Sequence, residues 1–479
     1  MRDPVHEKRR AVLAALALAV LAACAQERPE LVRLPAQRPE ALLLRNVAVL
    51  DVATGVRTPE RDVLVVGDRI QAIGPAGSLA TEVEVQEIDG QGGTLLPGLV
   101  DMHGHVMSDP SPPWAIQIPD PDAVLRAFLY CGVTTLLDPA DSSPEGFARR
   151  ARVADGTLPG PLIYSAGLPI TAPGGHPVGF VRLFAPWWIA WYVAPRSAAQ
   201  VETPEHARAA AEANVRAGAD FIKLMVDRLP EGAPRIGVAE MRAAVEAAHA
   251  RGVRALAHIG TLEDARDAAR AGVDAWVHGV YRERLSDEAV AELAAFGIPM
   301  VPTLTVFDSY AHALDGARPA TELEREIAPP ELLASFAEMP EDMPAIATFR
   351  PFLEQLHAER ESGRNNARRL HEAGVTLYAG SDPQSGVFPG AGLHRELRQL
   401  EAAGLTPVEV IRAATLGPAR FLAKSDDPDF GQVAPGKRAD LLLVAGDPTQ
   451  DLAALSKIRE VIARGVRIER IPIAAQPSD

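Results

Sequence analysis

The chain has 479 residues, 47% apolar and 23% charged, the composition of a folded protein long enough for more than one core. Its net charge of -15 argues against a nucleic-acid partner, because phosphate recognition needs a basic surface. Beyond residue 30 no stretch is apolar and long enough to span a bilayer.

The chain begins with Arg2, Lys8, Arg9 and Arg10, followed by the unbroken apolar run AVLAALALAVLAA at 11–23. That run has the length of a signal-peptide core and is short for a membrane span. It ends Leu21-Ala22-Ala23-Cys24, which resembles a bacterial lipobox. Residues 1–23 are therefore expected to be a lipoprotein signal peptide, Cys24 the lipidation site, and the Pro-rich residues 24–40 a tether. The protein would be exported to the periplasm or cell envelope and would touch the membrane only through its lipid anchor. An ordinary signal peptide with an incidental cysteine is the alternative. The second cysteine, Cys131 in LYCGVTT, reads as a small buried thiol.

From residue 41 short strands follow one another: ALLLRNVAVL, DVLVVGD, RIQAIG and TLLPG. Similar strands return near the C-terminus as ADLLLVAGD and EVIARGVRIER. Residues 41–97 and 426–475 are expected to form one composite β-sandwich domain. Between them, residues 98–425 alternate strands with helices. Strand-length apolar runs occur at 99–103, 133–138, 161–165, 220–225, 253–258, 273–278, 298–303 and 375–380. Helices are predicted over 203–217 with Pro204 at the first position, over 238–251 closed by Gly252, and over 262–271 between Thr261 and Gly272. Eight such units predict an α/β fold of the (β/α)8 TIM-barrel type, with a doubly wound open sheet as the alternative. Two long connections, about 167–202 and 306–352, are expected to shape the substrate mouth.

In such a barrel, functional groups sit at the C-terminal ends of the strands. His103 and His105 close the first strand, Lys223 lies near the end of the fourth, His258 and His278 end the fifth and sixth, and Asp382 follows the eighth. Residues i and i+2 of an extended chain point the same way, so His103 and His105 can aim together, with Gly104 leaving room between them. Imidazole and carboxylate suit zinc and other first-row metals. Lys223 interrupts an apolar strand, where an ammonium is costly unless paired or neutralised. A lowered pKa would let its amine form a carbamate with CO2. Pairing with a carboxylate such as Asp382 is the other reading.

These motifs resemble the amidohydrolase superfamily, nearest its imidazolonepropionase-related and Xaa-Pro dipeptidase-like branch. PGLVDMHGHV, GADFIKLM, ALAHIG, AWVHG and AGSDP carry the likeness, together with IRAATLGPARFLA and GQVAPGKRADLLLVAGDP. It covers roughly residues 41 to 470. The resemblance implies two divalent metal ions, usually zinc. His103 and His105, with Asp382, would hold one; His258 and His278 would hold the second; N6-carboxylated Lys223 would bridge them. Two features depart from the pattern: Val277 stands where a Glu is frequent, and VDRLPEG follows the lysine strand in place of a Gly-rich turn.

The implied chemistry is hydrolysis of a C–N bond, amide, peptide-like or cyclic, by a metal-bridging hydroxide. Asp382 would take the water's proton. His176, in Pro173-Gly174-Gly175-His176, is a candidate catalytic and substrate contact, and Tyr281 a candidate substrate-binding residue. Trp187, Trp188, Trp191 and Tyr192 form an aromatic cluster that suits packing, a substrate wall or a lipid surface. The partner is a small molecule, and self-association into a homo-oligomer is left open. Lactonase or phosphotriesterase chemistry, a one-metal deaminase and a non-catalytic metal- or ligand-binding lipoprotein are the rivals.

Overall fold

Short apolar strands from the two ends of the chain pair into one sheet. The computed structural model describes residues 30–476 except 116–118, 142–144, 317, 338 and 341, and excludes the side chains of 187 and 188. The sheet has nine strands. In order they are Val32–Arg33, Val466–Arg470, Ile458–Ala463, Leu441–Val444, Thr94–Pro97, Ala41–Asp51, Val56–Val66 and Arg69–Pro75, with Val85–Asp89 also paired to Ala41–Asp51. N-terminal and C-terminal strands meet where Thr94–Pro97 runs antiparallel to Leu441–Val444. The signal-peptide and Cys24 readings lie outside the described residues. Part of the expected tether is different: Val32 and Arg33 pair with Arg470 and Glu469, and Leu31 and Val32 are buried. Apolar side chains at 31 and 32 leave water for the body of the protein, so this stretch is not a free linker.

The chain passes from this sheet into the α/β region through Gly98. A Cβ there would lie 2.2 Å from Thr134 Oγ1, so no larger residue fits. The strands that follow are all parallel and fall into two sheets. One has three strands, Leu99–Asp101, Val133–Asp138 and Leu162–Ser165. The other has six: Ala199–Gln200, Ile170–Thr171, Phe221–Met225, Arg254–His258, Ala275–Val277 and Met300–Val301. Backbone hydrogen bonds link the two sheets, directly from Asp220 N to Ser165 O at 2.8 Å, and through residues 377–382 by Met102 N to Ala379 O at 2.9 Å and Asp382 N to His103 O at 2.7 Å.

Two departures from the expected strands have local causes. Residues 375–380 make only a bridge between Leu377 and Met300. The backbone N–H of Ala379 goes to Ala413 O, and that of Val100 to Ala414 O, so residues 413–414 intrude on the ladder. The two-residue strands Ile170–Thr171 and Ala199–Gln200 lie inside a connection read as loop; two residues carry no period.

The helices follow their capping residues. Pro204–Ala217 starts on Thr203, whose side chain accepts from His206 N, and ends on left-handed Gly218. Leu262–Ala271 lies between a Thr261–Asp264 capping box and left-handed Gly272. Val238–His249 stops two residues short of the expected end. The long connections are themselves helical, with Val178–Phe184 and Trp187–Val193 in the first and Leu304–His312 and Pro344–Ala358 prominent in the second. Phe184, Tyr310, Phe349 and Phe352 from these helices pack into one cluster, with Phe180 and Phe307 half-buried against it. Trp191 and Tyr192 are exposed. Among the described residues no helix is long and apolar enough to cross a membrane. Cys131 is a buried free thiol, pushed up to about 12 by burial.

Candidate metal centre

The ends of the parallel strands bring six of the expected residues to one place. His103, Lys223, His258, His278 and Asp382 are all buried, and His105 is partly exposed beside them. His103 Nε2 lies 3.1 Å from His105 Nε2, so the two rings do aim at one point. Gly104 serves a different purpose from the one expected: a Cβ there would strike Leu136 Cδ1 at 2.0 Å. The glycine lets the turn press against the second strand.

Asp382 faces both sides of the cluster. Its Oδ1 is 3.2 Å from His105 Nε2 and 3.6 Å from His103 Nε2; its Oδ2 is 3.9 Å from His278 Nδ1. The His258 and His278 ring centroids are 4.1 Å apart, and those of His103 and His278 are 4.7 Å apart. His103, His278 and Asp382 each offer a ligand atom within 4.8 Å of the others. This triad crosses the expected grouping, which separated His103 from His278. His278 and Asp382 both have left-handed backbone, with φ of 68° and 50°. Non-glycine residues held there cost of order 1 kcal/mol each and concentrate at functional sites.

The electrostatics favour neutral ligands. Burial, then the nearby charge of Lys223 and neighbouring histidines, holds His103 well below its usual range; burial and the neighbouring histidines do the same for His278. His258 is also lowered, chiefly by burial. His105 goes the other way, to about 9, because Asp138 and Asp382 more than offset its burial. Burial raises Asp382, but His105 and the surrounding cations bring it below the usual carboxylate range. Burial lowers Lys223 to about 7 against the Coulombic pull of Asp382, and among the described residues no ion pair joins its amine to a carboxylate. The Lys223–Asp382 pairing weighed above is therefore not made.

Neutral imidazole and ionised carboxylate are the forms that bind a cation. His258 Nε2 and Asp382 Oδ1 are buried without a hydrogen-bond partner among the described residues. A divalent ion would satisfy Asp382 Oδ1, so the donor set fits a metal centre.

Several supporting residues gave no motif. Asp101 accepts from His103 N, Ser381 N and Ser381 Oγ, tying the first strand to the loop bearing Asp382, and burial raises it to about 6. Thr303 Oγ1 sits 2.6 Å from His278 Nδ1. Buried Glu396 accepts from Leu304 N and Thr305 N, fixing the turn that carries Thr303. Asp227, four residues beyond Lys223, accepts from Tyr281 Oη and Arg282 Nη2. Tyr281 is thus buried with its hydroxyl engaged and its ring stacked 3.5 Å from Phe307, rather than lining the mouth. His176 does reach the site. Its ring centroid is 4.9 Å from that of His258, its Nδ1 is buried without a partner among the described residues, and burial lowers it to about 3.

Residues 94–468 match the amidohydrolase family, most of the chain. The chain belongs to that family. An uncharacterized protein of Mycobacterium tuberculosis is 28% identical over 378 residues, 78% of this chain and 85% of that protein. Ochratoxinase of Aspergillus niger is 26% identical over 328 residues, 64% of this chain and 60% of that enzyme. Among solved structures, a putative prolidase from Bifidobacterium longum matches with a TM-score of 0.70 and 25% identity, covering 91% of this chain and 96% of the other. The structural neighbours include further Xaa-Pro dipeptidase-like amidohydrolases. The protein is thus an amidohydrolase-family hydrolase, and that family generally uses metal ions.

Proposed function

We propose that the protein hydrolyses the C–N bond of a peptide-like or N-acyl small molecule at a binuclear metal site. The observation that carries this reading is the convergence of His103, His105, His258, His278 and Asp382 around a buried Lys223. His103 and His105 with Asp382 would hold one divalent ion and His258 and His278 the other, with carboxylated Lys223 serving both. Such a pair, when bound, activates water and polarises a carbonyl. The residues do the rest. Asp382 takes a proton on its carboxylate and returns it to the leaving nitrogen. Neutral His176 offers its ring N–H to the substrate carbonyl. Phe180 and Phe307, set against His176 and His278, exclude water on the acyl side.

The prolidase and ochratoxinase names among the similar proteins support amide chemistry over ester chemistry. The backbone bonds linking the two parallel sheets support one (β/α)8 barrel, and the strands shared by both chain ends support a composite β-sandwich domain beside it. The N-terminal motif supports an exported protein lipidated at Cys24, which radiolabelled fatty acid would mark in the natural chain and miss in Cys24→Ala.

A panel of dipeptides and N-acyl amino acids, offered to zinc-loaded protein, tests the function. Turnover that disappears in a folded His103→Ala variant is the expected result. Cleavage of lactones or phosphotriesters alone would reject the substrate class, and full activity in His103→Ala would reject the site.

A further inference from the structure

The loop after the lysine strand leaves a buried charge cluster beside His258. Asp227 is almost wholly buried, and three groups converge on its carboxylate. Tyr281 Oη donates to Oδ2, Arg282 Nη2 lies 3.0 Å from both carboxylate oxygens, and His258 Nε2 approaches Oδ2 to 3.6 Å. The last distance is an ion-pair approach, longer than a hydrogen bond. Yet His258 Nε2 is buried and has no hydrogen-bond partner among the described residues.

The backbone repeats the same association. Both Val226 N and Asp227 N donate to His258 O, at 3.0 and 3.3 Å. Tyr281 N and Arg282 N donate to Gly260 O, at 3.2 and 3.3 Å. Gly260 itself is shaped by the carboxylate, since a Cβ there would stand 2.7 Å from Asp227 Cγ. Three chain segments are thus locked around one carboxylate pointed at one imidazole. A histidine that binds a metal through one nitrogen needs an acceptor for the N–H on the other, and that acceptor sets ring orientation and ligand basicity.

We infer that Asp227 is the positioning residue of His258, holding its Nε2–H so that Nδ1 is the atom presented to the second metal ion. The inference rests on the binuclear reading above. Tyr281 and Arg282 serve it by keeping the carboxylate ionised and fixed. Their engagement with Asp227 gives Tyr281 a role other than substrate contact. Thr303 plays the corresponding part for His278 with the opposite nitrogen, Nδ1, leaving Nε2 to bind.

Stepwise zinc binding to the full folded chain, measured by competition with a chromophoric chelator, tests this. Cobalt spectra of the first and second equivalents provide the second readout. In Asp227→Ala the second equivalent should weaken by roughly 10- to 100-fold and its cobalt bands should shift, with the first equivalent unchanged. Asp227→Asn keeps a carbonyl acceptor and should recover most of the affinity. Should Asp227→Ala fold poorly because Arg282 loses its partner, Asp227→Ala/Arg282→Met removes both charges and should show the same selective loss. Unchanged binding in the alanine variants, or equal weakening of both equivalents, overturns the inference. So does Asp227→Asn binding as weakly as alanine, which would make Asp227 a direct ligand. Wild-type protein that binds fewer than two equivalents overturns the binuclear reading, and the inference with it.

Discussion

Lys223 has a proton affinity lowered by burial, and the Coulombic pull of Asp382 only partly opposes it. Only the neutral amine attacks CO2. At about 7 rather than the ordinary 10.5, a substantial fraction is neutral at physiological pH. Metal-free protein given zinc and ¹³C-bicarbonate should therefore gain a carbamate carbon resonance well above pH 7. The gain should fall as pH drops through 7 and be absent in Lys223→Met. The same shift has a stability sign. Between about 7 and 10.5 the unfolded chain binds a proton that the metal-free folded chain refuses, so metal-free stability rises with pH across that window. Carbamate formation that is independent of pH near neutrality would remove the case for a neutral amine.

At the scale of elements, the site depends on how helix starts and strand ends are held. Helix Leu304–His312 begins without a side-chain cap from Thr303, whose backbone is left-handed and whose hydroxyl faces His278. Glu396 substitutes for the cap from a distant helix by accepting from Leu304 N and Thr305 N. Glu396→Ala strands two buried N–H groups, each worth about 1–3 kcal/mol, and frees the turn that orients His278. Thermal unfolding should show the loss, and kcat should fall with it. A stability loss with unchanged kcat would mean that this turn does not position the ligand. The inserted helices make a separate prediction. Phe180→Ala should lower kcat/KM roughly tenfold or more for substrates with bulky apolar acyl groups and much less for small ones, since that ring meets both His176 and the aromatic cluster. Legibility in the sequence follows the same division. His103, His105, Lys223, His258, His278 and Asp382 were readable because each sits at or just beyond an apolar strand, and capped helices such as Leu262–Ala271 were readable from Thr261 and Gly272. Asp227, Thr303 and Glu396 were not, because their meaning lies in partners 31, 25 and 92 residues away. The one available hint was the charged run at 227–228 directly after the lysine strand.

At the scale of the whole molecule, the nine-stranded sheet and the α/β region share a core. Leu96, Leu442 and Val461 from the sheet belong to the same apolar cluster as Leu129, Tyr130 and the residues around the parallel strands. Arg470 stitches the seam: Nε donates to Tyr130 O at 2.8 Å, Nη2 pairs with Glu326 at 3.0 Å, and the guanidinium lies 4.0 Å from the Tyr130 ring centroid. Val32–Arg33 pairs along that same last strand. Burial shared across a seam couples the two parts, because neither can open without exposing apolar surface of the other. The protein should therefore unfold in one cooperative transition, with sheet and metal centre lost together. Zinc at about 100 times its dissociation constant adds about 2.7 kcal/mol per site to the folded state. That increment should raise the melting of the sheet as much as that of the centre, although none of the proposed ligands lies in the sheet. Arg470→Ala should lower Tm by a few degrees and leave kcat and metal stoichiometry unchanged, since it lies at the seam and not at the site. Calorimetry with and without chelator decides the matter. Two separated transitions, of which only one moves with zinc, would show that the sheet stands thermodynamically apart from the domain that holds His103 and Asp382.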